Sequence, residues 1–356
     1  MKRELLSKAF GDIDESFILE AYRPAPEDAS NPSERIIHMK KKRMITLVLA
    51  AALMLALGIT AYAVWSIHAA RQQELKADLK IEENNVSSYT EYEVPDEQTG
   101  GLVLLSSVND GELQHVYVDI SPVTEEEAAA FPQKTRFSWS IAGTEIGGFA
   151  GPQLPSDGSF SGTDEIRDAI MKYAYDRESQ TMTLQCYVDV MFIEKAVEEL
   201  QTERLPLQVQ MNVGEETERT YGPSTFTLTE KQCRIFDFGN TVYHDAELDK
   251  DIEITGLELT PFSAVWKVRY EEAADFHTPE ADWDKYAPWS ALEDKVCIES
   301  RLYFSDGSFF STGGALTSPY RDGVVNLNCG WGSAINIDDV QKIVLGNLIL
   351  WQAETP

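Results

Sequence analysis

The most prominent feature of the hydrophobic pattern is one long apolar run. Residues 44–67 read MITLVLAAALMLALGITAYAVWSI and contain no charged side chain. At a rise of about 1.5 Å per residue, a helix of this length extends roughly 36 Å and crosses a hydrocarbon core of about 30 Å with some tilt. Four basic residues at 40–43 precede the run, so the positive-inside rule places the N-terminus in the cytoplasm. The pattern therefore predicts a single transmembrane helix over 44–67.

Two other interpretations of this run stay open. Ala61-Tyr62-Ala63 has the small-x-small form that a signal peptidase prefers, which would indicate a cleaved signal peptide. Against this, the preceding 43 residues are longer than a usual n-region, and the run exceeds a typical h-region of about 7 to 15 residues. A buried core helix is disfavoured because no face of the run is charged, whereas a helix of a soluble protein normally leaves one face polar.

Residues 1–43 are predicted to form a cytoplasmic helical segment followed by a polar linker. Apolar side chains recur at helical spacing between residues 2 and 22. Helices this short are marginal in water, so we expect them to fold onto a partner or to lie on the membrane. The alternative is a partly ordered leader that only flanks the anchor. The side chains predicted to contact a cytoplasmic partner are Leu5, Phe10, Phe17 and Ile18.

Beyond the apolar run the pattern is first helical and then alternating. Residues 68–98 predict a polar stalk that begins as a helix and only holds the following domains off the membrane. After Gly100-Gly101, short alternating runs such as LVLLSSV and LQHVYVDI are separated by turn signals, which is typical of β-strands. Strands at this spacing suggest sandwiches, so we predict two β-sandwich-like extracytoplasmic domains at 99–230 and 231–356. The fold class is mainly β, with short cytoplasmic helices and one transmembrane helix. Short helices or loop insertions are expected at 125–131, 164–173 and 192–200.

The charge distribution supports this organisation. The chain has 30 Lys and Arg against 59 Asp and Glu, a formal net charge of −29. The whole excess lies beyond residue 67, where there are 21 basic and 51 acidic residues. Such a region repels phosphates and anionic lipid surfaces, so nucleic acid is excluded as a partner. It suits domains held outside the membrane.

The sequence predicts neither an enzyme nor a metal or cofactor site. Nucleophile elbows, Walker A loops, dinucleotide glycine patterns and HExxH helices are absent, so no catalytic residue is assigned. The four cysteines, Cys186, Cys233, Cys297 and Cys329, lack the CxxC spacing of a zinc ribbon or a thioredoxin-like site. Disulfides outside the cell and isolated buried thiols are both open possibilities.

One long segment inside the second strand series is a candidate for ligand binding. Glu271–Trp289 reads as irregular chain that combines carboxylates with aromatic residues. Long loops on a rigid scaffold often carry binding. The alternative is an ordinary loop whose aromatic rings pack against the strands. The candidate ligand-binding residues are His277, Trp283, Tyr286 and Trp289.

Several segments together resemble a known family. These are the opening LLSKAFGDIDESFILEA before a KKKR-flanked anchor, then ITGLELTPFSAVWKVRY, LYFSDGSFF and the closing INIDDVQKIVLGN. They are similar to membrane-anchored, anti-sigma-factor-like proteins of Gram-positive bacteria whose outer region is a domain of unknown function. The resemblance implies a cytoplasmic partner such as a sigma factor. Zinc-binding members carry an HxxxCxxC helix, and this chain departs from that pattern because it has no cysteine before position 186.

The sequence thus leads to two main functional hypotheses. In the first, a single-pass regulatory or signalling protein senses or binds something outside the cell and contacts a cytoplasmic regulator. In the second, the N-terminus is only a flank, and an anchored envelope-binding or structural module engages a protein or a glycan. A surface hydrolase is a third and weaker hypothesis, because no catalytic pair of carboxylates can be chosen among so many.

Overall fold

The computed structural model describes residues 66–93, 100–111, 113–145, 150–155, 160, 162–214, 216–276, 283–313, 316–317 and 323–354. These residues belong to one compact unit. The predicted cytoplasmic segment with Leu5, Phe10, Phe17 and Ile18, and nearly all of the predicted transmembrane helix, lie outside them. Within the described ranges no helix is both long enough and apolar enough to cross a membrane.

The described chain opens with helix α1, residues 66–78. His68, Gln72, Leu75 and Leu79, which follows the helix, are buried, and their spacing of four, three and four places them on one face. The Gln72 side-chain amide donates to two backbone carbonyls of segments packed against the helix, at 2.7 and 2.8 Å. Because this face is buried, α1 belongs to the folded body, which corrects the expectation of a stalk that only spaces the domains from the membrane.

The first half of the body is a single ten-stranded antiparallel sheet, counted over the described residues. Its strand order is β1-β2-β3-β8-β6-β4-β9-β10, with β5 paired to β4 and β7 paired to β8. The sheet curls into a half-barrel, since the Gly222 amide near one end donates to the Gly100 carbonyl near the other at 2.8 Å. One curled sheet therefore stands where the sequence suggested two facing sheets. The strands are β1 Tyr89–Glu91, β2 Leu102–Asn109, β3 Leu113–Ile120, β4 Thr135–Ile141, β5 Thr144–Glu145, β6 Ala150–Pro152, β7 Tyr175–Asp176, β8 Thr181–Asp189, β9 Leu205–Val213 and β10 Glu216–Phe226.

The hairpin of β2 and β3 shows how local sequence builds this sheet. The turn is closed by side chains, because the Gly111 amide donates to Asn109 Oδ1 and the Leu113 amide donates to Asp110 Oδ1, both at 2.8 Å. Gly111 has a φ of +108°, a conformation that favours glycine. On β3, Val116 and the other apolar side chains of its face point into the core enclosed by the sheet. The predicted strands LVLLSSV and LQHVYVDI are confirmed.

All three short segments expected as helices or loop insertions are helical. They are α2 Glu125–Ala129, α3 Thr163–Ala169 with the π-helical turn Ile170–Ala174 that follows it, and α4 Val190–Leu200. Helix α2 begins with a capping box. The Glu127 backbone amide donates to the Thr124 side chain, and the Thr124 backbone amide donates to the Glu127 side chain.

The second half consists of two smaller antiparallel sheets that share one hydrophobic core. The five-stranded sheet has the order β11-β12-β13-β17-β16, and the four-stranded sheet has the order β15-β14-β18-β19. A short 3-10 helix, Ile337–Asp339, precedes β18. The strands are β11 Arg234–Asp245, β12 Lys250–Leu259, β13 Ser263–Arg269, β14 Ser300–Phe304, β15 Phe309–Ser311, β16 Leu316–Thr317, β17 Val325–Gly330, β18 Val340–Leu345 and β19 Leu348–Gln352.

Two helices lie where the sequence suggested an irregular loop and the start of a strand. They are α5 Ala273–Phe276 and α6 Trp283–Glu299. On α6 the buried side chains Trp289, Leu292 and Val296 recur at helical spacing and enter the second core. The pattern KVCIES after this loop resembles the start of a strand, but the chain is helical up to Glu299 and the strand begins at Ser300.

Three clusters of buried apolar side chains organise the body. The members of the first cluster lie between residues 102 and 226, and those of the second lie between 236 and 345. The third cluster joins Leu75 and Leu79 at α1 to Tyr117 of β3 and to Phe262 and Ala334 of the second half. Helix α1 is thus packed where the two halves meet.

Candidate ligand-binding groove

The outer face of β3 and β8 carries polar and aromatic side chains instead of apolar ones. The register pairs Asp119 with Thr183, Tyr117 with Gln185, and His115 with Tyr187. Because successive side chains on a strand point to opposite faces, all six lie on the side away from the first core. Helix α1 covers one end of this face, and the other end lines a cavity.

We name this cavity the junction groove; its volume is about 390 Å³. Its first wall is the face of β3 and β8, with His115, Gln185 and Tyr187. Its second wall is the turn between β12 and β13 and the chain after β17, with Phe262 and Trp331. Leu79, just beyond α1, contributes to the lining as well. The groove is therefore built jointly by both halves and by the chain leaving α1.

A hydrogen-bond chain fixes the side chains of the first wall. His115 donates from Nε2 to Asp110 Oδ2 at 2.8 Å, so its Nδ1 accepts from Gln185 Nε2, also at 2.8 Å. The same Gln185 nitrogen donates to the Tyr117 hydroxyl at 3.1 Å, and the Tyr187 hydroxyl donates to Gln185 Oε1 at 2.9 Å. The rings of His115 and Tyr187 meet edge to face with centroids 4.9 Å apart. These contacts hold the four side chains in a fixed orientation.

Burial sets the ionisation of the two tyrosines in this wall. It raises the pKa of Tyr117 well above its usual value of 10.0, and the neighbouring Tyr187 contributes in the same direction. It also raises the pKa of Tyr187, with a smaller contribution from the Asp110 carboxylate. Both phenols are therefore neutral hydrogen-bonding groups at ordinary pH.

The opposite wall is also held in place. The Trp331 indole donates from Nε1 to the Pro261 carbonyl at 2.8 Å, and its backbone amide donates to the Phe262 carbonyl at 3.0 Å. Phe262 is 4 % exposed and belongs to the third core. The half-buried Trp331 ring therefore lines the groove from a fixed position.

Gln153 lies between the junction groove and a second cavity of about 330 Å³. That second cavity, the proximal cleft, is lined by Arg71 and Glu74 of α1 and by Lys172 and Tyr173 of the π-helical turn. The Gln153 Oε1 atom is buried and has no hydrogen-bond partner among the described residues. A buried acceptor normally has a hydrogen-bond partner.

The end of the polar face that α1 covers holds a buried ion-pair network. His68 Nδ1 donates to Asp119 Oδ2 at 2.7 Å, and Thr183 Oγ1 donates to Asp119 Oδ1 at 2.6 Å. Arg71 reaches the same carboxylate, with Nη1 3.4 Å from Oδ1, and it also donates to Thr183. The Asp119 side chain is 1 % exposed. This network attaches α1 to the sheet at one end of the same strands that bear the groove.

Both ring nitrogens of His115 are engaged with protein groups, so neither is free to act as a base. Over the described part of the chain, no group of three or more His, Cys, Asp or Glu side chains is arranged to hold a metal ion. The described lining of the groove also contains no Lys or Arg.

The predicted ligand loop has a different structural context. Trp289 is 6 % exposed and stacks on Tyr270 with ring centroids 4.2 Å apart, while the Lys250 ammonium lies 4.9 Å from its ring centre. It belongs to the second cluster of buried residues. His277 lies outside the described residues, and the side chains of Trp283 and Tyr286 do as well, so their role in binding stays a prediction.

The sequence pattern predicts the strands of the groove but does not single out its residues. The alternate positions of these strands normally face solvent, and they are occupied by His115, Tyr117, Gln185 and Tyr187. A usable signal existed, because the polar positions of both LQHVYVDI and MTLQCYVDV are rich in aromatic and hydrogen-bonding side chains.

Comparisons with known proteins add little to this description. No protein-family model matches the chain, and no curated protein matches it either. Among solved structures, the chain is similar to a conserved domain protein from Bacillus anthracis, with a TM-score of 0.35 and 10% sequence identity. That similarity covers 73% of this chain and 77% of the Bacillus protein. With a TM-score this low, it carries no argument about function.

Proposed function

We propose that this protein is a single-pass membrane protein with a regulatory or signalling role, whose extracytoplasmic β-rich region binds a neutral polar ligand in the junction groove. The cytoplasmic segment would contact a regulator, and the family resemblance suggests a sigma factor. In this proposal the second half is a sandwich-like domain, and the first half is a half-barrel. The whole body is held at the membrane by the apolar run at 44–67.

The observation that carries the proposal is the composition of the groove. Its walls come from the first sheet, from the second half and from the chain leaving α1. Helix α1 begins at residue 66, within the last two residues of the predicted membrane span at 44–67. A ligand that contacts all three parts stabilises one arrangement of them, which is how binding biases a conformational equilibrium.

The lining indicates the class of ligand. Aromatic faces at Tyr187 and Trp331 lie beside the amide groups of Gln185 and Gln153, and the described lining carries no cation to attract an anionic ligand. Pockets of this kind orient a ligand through a few fixed polar groups and bury its apolar faces against aromatic rings. A sugar has both kinds of surface, so we propose that a neutral glycan of the cell envelope is the ligand.

Calorimetric titration with an N-acetylglucosamine tetrasaccharide tests this proposal on the full chain in detergent. We expect Gln185→Ala to weaken binding about tenfold, because it removes the hydrogen bonds that orient His115 and Tyr117. Gln210→Ala on β9 is the matched control, since Gln210 does not line the groove, and it should leave the affinity unchanged. Absence of binding at millimolar sugar, or an equal loss in both variants, would contradict the proposed ligand class.

The topology is tested separately through the one exposed thiol among the described cysteines, Cys233. A membrane-impermeant maleimide applied to intact cells should label the full chain, and Cys233→Ser should abolish the labelling. Labelling that occurs only after lysis would refute the extracytoplasmic location.

The signalling role is tested at the other end of the chain. Native membranes are cross-linked, and the proteins recovered with the full chain are compared with those recovered with a variant carrying Ser at Leu5, Phe10, Phe17 and Ile18. Recovery of one transcription regulator with the native chain alone would support signalling. Identical recovery from both would refute signalling and would leave the anchored envelope-binding module as the function.

A further inference from the structure

We infer that the junction groove and the proximal cleft are two parts of one elongated site, whose ligand is an oligosaccharide of several units and not a single sugar. The inference rests on the proposed function, because it takes a neutral glycan as the ligand of the groove. The cleft, at about 330 Å³, is nearly as large as the groove, at about 390 Å³. Each volume is near the lower end of the range of about 300 to 1,000 Å³ that is usual for ligand sites.

Strand β8 forms a wall that runs from one cavity into the other. Thr183 lines the proximal cleft, whereas Gln185 and Tyr187 line the junction groove. These three side chains are spaced by two residues, so they lie in one row on the outer face of the sheet. At about 3.4 Å per residue, the row from Thr183 to Tyr187 extends roughly 13 Å. A single sugar ring is shorter than this row, whereas a chain of linked rings can follow it.

The end of α1 forms a second continuous wall. Leu75 lines the proximal cleft, and Leu79 lines the junction groove. The Leu79 amide donates to the Leu75 carbonyl at 2.9 Å, so the helical spacing continues to Leu79. Side chains four residues apart at this spacing lie on the same face. The wall of α1 therefore extends along both cavities, as the wall of β8 does.

A third segment connects the two cavities directly. Gln153 and Leu154, which follow β6, line both of them. The Gln153 backbone amide donates to the Thr183 carbonyl at 3.0 Å, which holds this segment against the row on β8. The Gln153 side-chain amide donates to the Leu154 carbonyl at 3.1 Å. Three separate parts of the chain thus pass from the cleft to the groove.

The proximal cleft also has the chemistry that a neutral glycan requires. Its charged lining residues are Arg71, Glu74, Asp78 and Lys172, so cations and carboxylates balance in the described lining. Charged groups form stronger hydrogen bonds with hydroxyl groups than neutral groups do. Tyr173 adds an aromatic ring that is 47 % exposed and can cover the apolar face of a sugar. The cleft therefore repeats the combination of aromatic and hydrogen-bonding side chains that lines the groove.

Calorimetric titration of the full chain in detergent with N-acetylglucosamine oligosaccharides of two and four units tests the inference. We expect the tetrasaccharide to bind in a one-to-one ratio and at least about tenfold more tightly than the disaccharide. The reason is that linked units occupy both cavities with a single loss of translational freedom. Equal affinity of the two oligosaccharides would overturn the inference. A ratio of two tetrasaccharides per chain would overturn it as well, because the cavities would then bind separately.

Two variants test whether the proximal cleft contacts the ligand. Tyr173→Ala and Glu74→Ala should each weaken tetrasaccharide binding about tenfold, because they remove an aromatic face and a charged acceptor. Phe309→Ala is the matched control, since this aromatic side chain is 57 % exposed and lines neither cavity. It should leave the affinity unchanged. The Tm of each variant is measured to show that the fold is retained. Native affinity in both cleft variants would refute the elongated site.

A failure of this inference is distinguishable from a failure of the proposed function. If the native chain binds neither oligosaccharide at millimolar concentration, the proposed ligand class is wrong, and the elongated site fails with it. If Gln185→Ala weakens tetrasaccharide binding but neither cleft variant does, the glycan is the ligand of the groove alone. That result would leave the proposed function in place and overturn only the elongated site.

Discussion

The attachment of α1 to the sheet can be tested by replacing Asp119 with Asn. The side chains of His68 and Asp119 are 3 % and 1 % exposed, and the carboxylate accepts hydrogen bonds from His68, Arg71 and Thr183. Asparagine has nearly the same shape and keeps one oxygen as an acceptor. The substitution therefore removes the charge and one acceptor without leaving a cavity.

The expected cost follows from burial. Removing one partner of a buried ion pair leaves the other charge unpaired and costs about 3 to 5 kcal/mol. The retained oxygen of Asn and the partial exposure of Arg71, at 14 %, place the expected value near the lower limit, about 3 kcal/mol. Since about 1.4 kcal/mol is tenfold in an equilibrium constant, the local opening of α1 should increase on the order of 100-fold.

Native-state hydrogen exchange resolved to peptides that span residues 66–78 measures this opening. A matched control exists on the surface, where His244 Nδ1 and Asp251 Oδ1 lie 2.8 Å apart but the side chains are 55 % and 69 % exposed. Asp251→Asn should change the stability by less than about 1 kcal/mol because solvent screens an exposed pair. If Asp119→Asn leaves the protection of α1 within threefold of the native chain, the network does not hold the helix, and the reasoning is wrong.

Two further predictions concern the backbone of the first half and the acid stability of the second. Gly101→Ala should lower the free energy of chemical unfolding by more than about 3 kcal/mol, because φ is +69° and a Cβ atom would clash with the Ser121 carbonyl oxygen. Gly143→Ala is the control: φ is +80° and no described atom lies within 4 Å, so the loss should be only about 1 kcal/mol. Equal costs would contradict the steric argument. The hydrogen bond from Lys295 at 2.9 Å lowers the pKa of Asp245 below its usual value of 3.8. The ionised Asp245 therefore stabilises the fold above pH 3.8, and this stabilisation is lost as the pH falls through the lowered pKa. The Tm of the native chain should exceed that of Lys295→Gln at pH 6, and the difference should shrink below about pH 4; a constant difference down to pH 2 would argue against this linkage.

The strands of the first sheet could be predicted where local signals agree. In the segment from Leu102 to Ile120, apolar runs rich in β-branched residues flank a turn with Asn109, Asp110 and Gly111, so strand, turn and strand follow from the sequence. The curl of the sheet could not be predicted in this way. It depends on long-range pairings such as Gly222 with Gly100, which no local pattern encodes.

Helix α6 was missed because its local signals conflict with its packing. Pro288 and the surrounding aromatic and acidic residues resemble a loop, and the following KVCIES resembles a strand. The buried positions Trp289, Leu292 and Val296 nevertheless follow a helical period, and the second core determines the outcome. Tertiary burial overrides local propensity at this segment.

The groove illustrates a different limit. Alternation on β3 assigns Tyr117 and His115 to the outer face of a sheet, and on a solvated sheet such residues would only contact water. Their burial arises because α1 and the turn with Phe262 cover that face, and these elements come from positions 66–78 and 262. A site assembled from such distant parts of the chain has no motif of its own.

The contacts of the chain between α1 and β1 have a consequence for exchanging parts between related proteins. The Ala334 amide donates to the Leu79 carbonyl, Asn84 donates to the Ala334 carbonyl, and the Gln232 side chain accepts from the Ser87 amide, at distances from 2.7 to 2.9 Å. This segment is therefore an integral part of the folded body that both halves form. A chimaera that joins one membrane anchor to another outer region will keep an intact body when the crossover precedes residue 66. A crossover at the predicted boundary near residue 99 would separate the outer region from the segment that holds its halves together.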